Sequence, residues 1–224
     1  METKYSEKCF RCEKCFYICT MDEKEGKILT AAWDQFKKLG IRNLNMDEIA
    51  RQLGISKKTL YRYVKNKEDL LKKSFFHHFE NEKEGQCHIH ENCDNPIDEM
   101  LAVNESICKE NKDLNPVTVF ELKRYYPALY DEIFSSKIDF VKSCIIANMK
   151  EGVERGLYRD NFNVEIIARL YVGRMQTIVS EEIFPGNDYS FNELIDESIR
   201  FHLYGIVSQK GRDYLEQKLN ISSK

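Results

Sequence analysis

The sequence predicts an all-α protein, and three observations carry that reading. Apolar residues recur at spacings of three and four along most of the chain, the mark of amphipathic helices. Only four prolines and ten glycines punctuate the 224 residues. No period-two alternation, the pattern of a half-buried strand, runs for long. A hydrophobic fraction of 42% supplies a core, and 32% charged residues supply a solvated surface. No run of about 18 apolar residues occurs, which excludes a membrane-spanning helix. The N-terminus has no apolar segment with a small-residue cleavage site. These features predict a cytoplasmic chain whose eight cysteines are thiols, not a disulfide framework.

The first predicted helix covers Glu23 to Leu39. Ile28, Ala32, Phe36 and Leu39 form its apolar stripe, with Leu29 and Trp33 beside it, and Gly40 ends it. In NLNMDEIARQLG, Asn45 is the N-cap and Glu48 completes a capping box. Met46, Ile49, Ala50 and Leu53 then face inward until Gly54. Ser56 caps a second short helix, Lys57 to about Val64, with Leu60, Val64 and Ile55 turned inward. Helix, glycine-containing turn, helix is the layout that offers its second helix to a major groove.

Lys67 to about Phe79 is a fourth helix, apolar at Leu70, Leu71, Phe75 and Phe79. Glu80 to Asn95 is polar, ends in Asn-Pro and reads as a loop between domains. Helices follow near Ile97–Asn111, Pro116–Tyr126 and Ala128–Arg155, with Pro127 splitting the second from the third and Gly156 ending the third. Another begins after Asn163, carries Ile167, Leu170, Tyr171, Met175, Ile178 and Val179, and stops before Pro185. The last pair covers about Phe191–Val207 and Gly211–Leu219.

Charge is distributed unevenly. Between Asp22 and Phe75, thirteen lysines and arginines face eight acids, while the whole chain carries a net charge of −3. A basic block on an acidic body suits a reader of nucleic acid with a separate partner region. Such reading needs donors facing phosphates and a few side chains reaching base edges. Lys57, Lys58, Tyr61, Arg62, Tyr63 and Lys67 supply donors, and Asn45 and Ser56 sit at helix N-termini beside the backbone.

The segment ILTAAWDQFKKLGIRNLNMDEIARQLGISKKTLYRYVKNKEDLL places AA before an aromatic, then an LG loop. MDEIA-x-x-LG-I-SK-x-TLY-x-Y and K-x-K-E-x-L follow. Over roughly Ile28 to Leu71 it resembles the DNA-binding domain of the tetracycline-repressor (TetR) family. KRYYPALYDEI and EGVERGLYR are similar to segments of a subgroup of that family. The resemblance implies an N-terminal three-helix helix-turn-helix DNA-binding domain at 22–66 and a larger helical ligand-binding and dimerisation domain at 67–224. Residues 1–21 form a cysteine-rich extension.

It also implies roles for residues. Positions matching Asn45, Ser56, Lys57, Tyr61, Tyr63 and Lys67 contact DNA in relatives, and Thr59 and Arg62 are the candidates to reach bases. Lys58 stands where many relatives carry a small residue or proline, and a long cation there favours phosphate. By the same resemblance the chain is a sequence-specific transcriptional regulator, a homodimeric repressor on a pseudo-palindromic operator, released by a small molecule. The bundle that joins protomers would use Leu170, Met175, Ile178, Val179, Phe191, Leu194, Ile195 and Phe201. A ligand cavity would draw on Phe120, Tyr125, Tyr126, Tyr171, Arg174 and Gln176. No nucleophile–base pairing, catalytic metal motif or phosphate loop marks an enzyme.

Two cysteine-rich stretches stand apart. CFRCEKCFYICT sets Cys9, Cys12, Cys15 and Cys19 at the spacing of an iron–sulfur quartet, but Thr20 replaces the usual proline and no second quartet follows. It reads as an added tail or start artefact, as a packed helix face, or as a zinc or cluster site. Its basic residues also allow a DNA-contacting arm. QCHIHENC offers Cys87, His88, His90 and Cys93 for zinc or copper, with His77 and His78 earlier. No cofactor is required by the principal reading. The alternative is a metal- or redox-responsive regulator using either stretch. Cys108 and Cys144 read as core.

Overall fold

The structure, a computed structural model, describes residues 22–110, 116–178, 182–185 and 188–222. The described residues form ten helices: α1 Glu23–Leu39, α2 Met46–Gln52, α3 Lys57–Leu60, α4 Lys67–Asn92, α5 Pro96–Glu110, α6 Pro116–Tyr125, α7 Pro127–Glu154, α8 Val164–Ile178, α9 Phe191–Ile206 and α10 Gln209–Ser222. They divide into two compact units, one holding the described residues up to 88 with 116–134, the other 89–110 with the described residues from 135 onward. None of these helices is long and apolar enough to cross a membrane.

In the first unit, the cap of α1 is Asp22, whose side chain accepts from the Lys24 amide; acids in its first turn and Lys37 and Lys38 in its last suit the helix dipole. Ile28, Leu29, Ala32, Trp33 and Phe36 are buried as the stripe requires, whereas Leu39 is 42% exposed. Trp33 meets Phe75 of α4 edge-on at 5.3 Å between ring centroids, and Phe79 stacks on Phe75 at 5.9 Å. Gly40 turns the chain at φ 80°, a conformation that penalises any side chain.

The stretch expected to be a loop, Glu80–Asn95, is helix as far as Asn92. Its residues are polar but not helix-breaking. Lys83 pairs with Glu80 at 2.5 Å and His78 with Glu82 at 3.3 Å, each about one turn apart. The break comes at Asn95-Pro96, where the Asn95 side chain accepts from the Ile97 and Asp98 amides and caps α5.

α6 belongs to the first unit. Thr118 donates to the Phe36 carbonyl at 2.9 Å, and Oε2 of buried Glu121 accepts from the amides of Ile41 at 2.6 Å and Arg42 at 2.9 Å. The Arg42 guanidinium donates to the Tyr125 hydroxyl at 3.0 Å and lies 4.8 Å from that ring's centroid. The turn leading into α2 is thereby tied to a helix some 80 residues further along the chain.

The second unit has its own core of Ile97, Met100, Ile145, Met149, Leu157, Tyr158, Ala168, Tyr171, Ile199, Leu203, Ile206, Val207 and Leu215. EGVERGLYR is legible in it. A Cβ on Gly152 would fall 2.0 Å from the Tyr158 ring, and Gly156 ends α7 at φ 68°. Tyr158 donates to Asn148 at 3.0 Å, and Asn148 donates in turn to the Pro96 carbonyl and to Glu99 at 2.9 and 2.8 Å. Burial pushes the Tyr158 hydroxyl far up. α10 starts at Gln209, two residues before the expected Gly211; Gly211 passes so close to the Leu157 carbonyl that a side chain there would collide.

Candidate nucleic-acid interface

The interface is built from two short helices whose starts are capped as their sequence demands. Asn45 accepts from the Asp47 and Glu48 amides at 3.0 and 2.9 Å, and Glu48 returns a bond to the Asn45 amide at 3.0 Å. Ser56 accepts from the Thr59 amide at 3.0 Å. Leu60 at 0% and Val64 at 3% exposure anchor the second helix and set its roll. Lys57, Lys58, Tyr61 and Arg62 then face outward.

The second helix is shorter than expected. Regular α-helix ends at Leu60, and Arg62 and Tyr63 donate to the carbonyls of Thr59 and Leu60, three residues back. This tightening turns the chain toward Asn66, which caps α4 through the Asp69 amide at 2.8 Å.

The nine residues singled out from sequence do not play equal parts. Lys58, Tyr61 and Arg62 are exposed and carry no ion pair among the described residues. Lys57 is exposed but pairs with Asp47 at 2.9 Å, and that contact raises its pKa. Thr59 is half-buried and shares a hydrogen bond with Ser56 at 2.8 Å. The Tyr63 hydroxyl donates to Asp22 at 3.3 Å, while its carbonyl accepts from Lys73 at 2.6 Å. Tyr63 therefore also braces the junction of α1 and α4. Burial lowers the pKa of half-buried Lys67, with Glu121 and Glu48 pulling the other way.

The other candidate sites separate. Cys9, Cys12, Cys15 and Cys19 lie outside the described residues. Among the described residues no group of three or more His, Cys, Asp or Glu side chains is placed to hold a metal. On a helix, Cys87 and its neighbour His88 point about 100° apart, and His90 faces Glu99 at 3.2 Å. Of the proposed ligand-lining residues in the first unit, Phe120 is 60% exposed, Tyr125 is held by Arg42 and Tyr126 is half-buried. In the second unit Gln176 is exposed, whereas Tyr171 is buried beside Arg174. Sequence reasoning missed Thr118 and Glu121, and it missed His202 beside the Tyr171–Arg174 pair and buried Ser198 one turn before it. It also missed the exposure of Ile166 and Tyr204. No local pattern flags a long-range partner.

This arrangement defines a helix-turn-helix DNA-binding protein. Residues 28–73 match the family described as bacterial regulatory proteins, tetR family. Two relatives come from Bacillus subtilis (strain 168). One is the uncharacterized HTH-type transcriptional regulator YvaF, 23% identical over 193 residues, covering 84% of this chain and 98% of that protein. The other is a fatty acid metabolism regulator protein, 24% identical over 196 residues, covering 82% and 95%. A transcriptional regulator from Saccharomonospora viridis, solved in complex with choline, superposes with a TM-score of 0.68 at 16% identity over 84% of this chain and all of that one. A TetR transcription regulator from Haloarcula marismortui gives the same values. Residues 28–73 thus carry a DNA-binding domain of the tetR type, and over most of its length the chain is similar to transcriptional regulators of that family.

Proposed function

We propose that the protein is a cytoplasmic homodimeric repressor that reads a pseudo-palindromic operator, one helix-turn-helix per half-site, and is released by a small-molecule effector. The observation that carries this reading is the outward set Lys58, Tyr61 and Arg62 on a helix anchored by Leu60 and Val64. In this reading Lys58 and Lys57 hold phosphates, Arg62 and Thr59 approach base edges, and Asn45, Ser56, Tyr61, Tyr63 and Lys67 complete the contact surface. Residues 22–66 read DNA, and residues 67–224 sense the effector and pair protomers.

Dimerisation is supported by large apolar side chains left in water. Ile166 and Leu170 on α8 are 56% and 63% exposed, and Phe201 and Tyr204 on α9 are 74% and 37% exposed. Each pair lies one helical turn apart, so each helix presents an apolar stripe that a second copy would cover. Effector binding acts by favouring a protomer arrangement whose recognition helices no longer match successive major grooves, and only differential affinity for that state shifts the population.

Selection of duplexes from a random pool by the purified protein tests the reading, with sedimentation of the complex. The expected outcome is a site with two-fold symmetry bound by an even number of chains. An enriched site without symmetry, bound by one chain, would refute the dimeric reading.

A further inference from the structure

Four buried polar atoms in the second unit have no hydrogen-bond partner among the described residues. They are Nε and Nη2 of Arg174 on α8, and Oγ of Ser198 and Nε2 of His202 on α9. Ser198 and His202 are only 7% and 5% exposed and lie one turn apart on one face of α9. His202 meets the Tyr171 ring edge-on, with centroids 4.8 Å apart. The Arg174 guanidinium lies 5.0 Å from the Tyr171 ring centroid and 5.9 Å from that of Phe201. Arg174, Tyr171 and His202 thus adjoin one another where α8 meets α9, and Ser198 lies one turn before His202 on α9.

Leaving polar groups buried and unpaired is costly, and a buried cation without a counter-charge more so. Two carboxylates of α9 are engaged elsewhere. Asp196 accepts from Asn104 at 2.6 Å, and Glu193 accepts from the Ser190 amide at 2.8 Å. Burial lowers Arg174 and holds His202 at about 3, so the imidazole is neutral and can donate or accept at Nε2. The two unpaired donors of Arg174 are the pair that leave the guanidinium side by side, the fork that takes both oxygens of a carboxylate.

We propose that these groups line a recess that binds the carboxylate of a small organic acid, gripped by the Nε–Nη2 fork of Arg174 with Ser198 and His202 completing its hydrogen bonds. A single cation among neutral partners suits a monoanion rather than a phosphate dianion. The Tyr171 ring, beside both Arg174 and His202, offers a surface to the acid's apolar part. The proposal rests on the effector-released reading for its consequence, since it names the chemistry of that effector; the binding itself needs no DNA.

The test is calorimetry and thermal unfolding of the full-length protein with sodium acetate, butyrate and hexanoate. Acetamide and sodium chloride at matched ionic strength are the controls. Saturable binding of at least one carboxylate with a rise in Tm is expected, with no response to either control. Arg174→Met should weaken that binding by about tenfold or more, and Ser198→Ala by about threefold, the scale of lost charged and neutral hydrogen bonds. If circular dichroism shows Arg174→Met unfolded, Ser198→Ala and His202→Gln decide, and unchanged affinity in both overturns the site. No saturable carboxylate binding by the wild type overturns it as well. So does an Arg174→Met variant that shifts the monomer–dimer balance while binding carboxylate normally, because a partner copy then closes the recess. A mobility-shift arm separates the two readings. Carboxylate binding without release of DNA keeps the site and sinks the effector role, whereas release by other compounds without carboxylate binding does the reverse.

Discussion

Glu121 offers the sharpest test of how the DNA-reading helices are held. Its Oε2 accepts from the amides of Ile41 and Arg42, and the side chain is 7% exposed. Ile41 is 1% exposed, so water cannot replace the bond its amide would lose, whereas exposed Arg42 recovers part of its own from solvent. A hydrogen bond to a charged acceptor contributes about 1.5–3 kcal/mol, and an orphaned buried amide bears its full desolvation cost. Glu121→Ala should therefore lower stability by about 3 kcal/mol, a large share of a typical total of about 5–15 kcal/mol. Glu121→Gln is the informative companion. Both bonds go to one oxygen, so a glutamine carbonyl placed there accepts both amides and only the charge is lost, for a cost of about 1 kcal/mol. The chain has one tryptophan, Trp33, which is buried in the same unit, so urea unfolding followed by its fluorescence reads this region directly. Equal m-values would show that the change is one of stability. An alanine variant within about 1 kcal/mol of wild type, or a glutamine variant less stable than the alanine one, would refute the two-amide clamp.

Four further outcomes follow from the structure. Arg62→Ala should cost about 1–3 kcal/mol of operator affinity and relax preference at one position per half-site. Lys58→Ala should weaken binding evenly across sequences and reduce the salt slope by about one; competition assays at several salt concentrations check both. Burial holds His202 at about 3 against an unfolded value near 6.5, so between those values the unfolded chain binds the extra proton. Stability should be complete above about pH 6.5 and fall with acidification by up to about 1.4 kcal/mol per pH unit from this residue. His202→Gln should flatten that slope in urea titrations from pH 4 to 7, leaving the contribution of His77, which burial also lowers; identical slopes would count against it. Leu170→Glu places a charge in the exposed stripe of α8 and, if the proposed dimer forms through it, should sediment as a monomer where the wild type sediments as a dimer, without loss of helix by circular dichroism.

Much of the architecture was legible because it is written in neighbouring residues. Asn45 with Glu48, Ser56 with Thr59, and the glycines at 40, 54 and 156 act over one turn, so caps and stops sit where the pattern placed them. The outward turn of Tyr61 and Arg62 follows from Leu60 and Val64, which the helical period already marked as inward. The misreading of Glu80–Asn92 has the same local origin: a polar, half-buried helix with pairs one turn apart looks like a loop when apolar spacing is the only guide. What tertiary structure alone decided are the partners far apart in sequence. Glu121 on the Ile41–Arg42 turn, Tyr63 on Asp22, Lys67 drawn in beside Glu121 and Glu48, and Arg174 left unpaired near His202 depend on which helices meet. A local period records which face of a helix turns inward, but a hydrogen bond between helices depends on where each inward face is carried by all the packing around it.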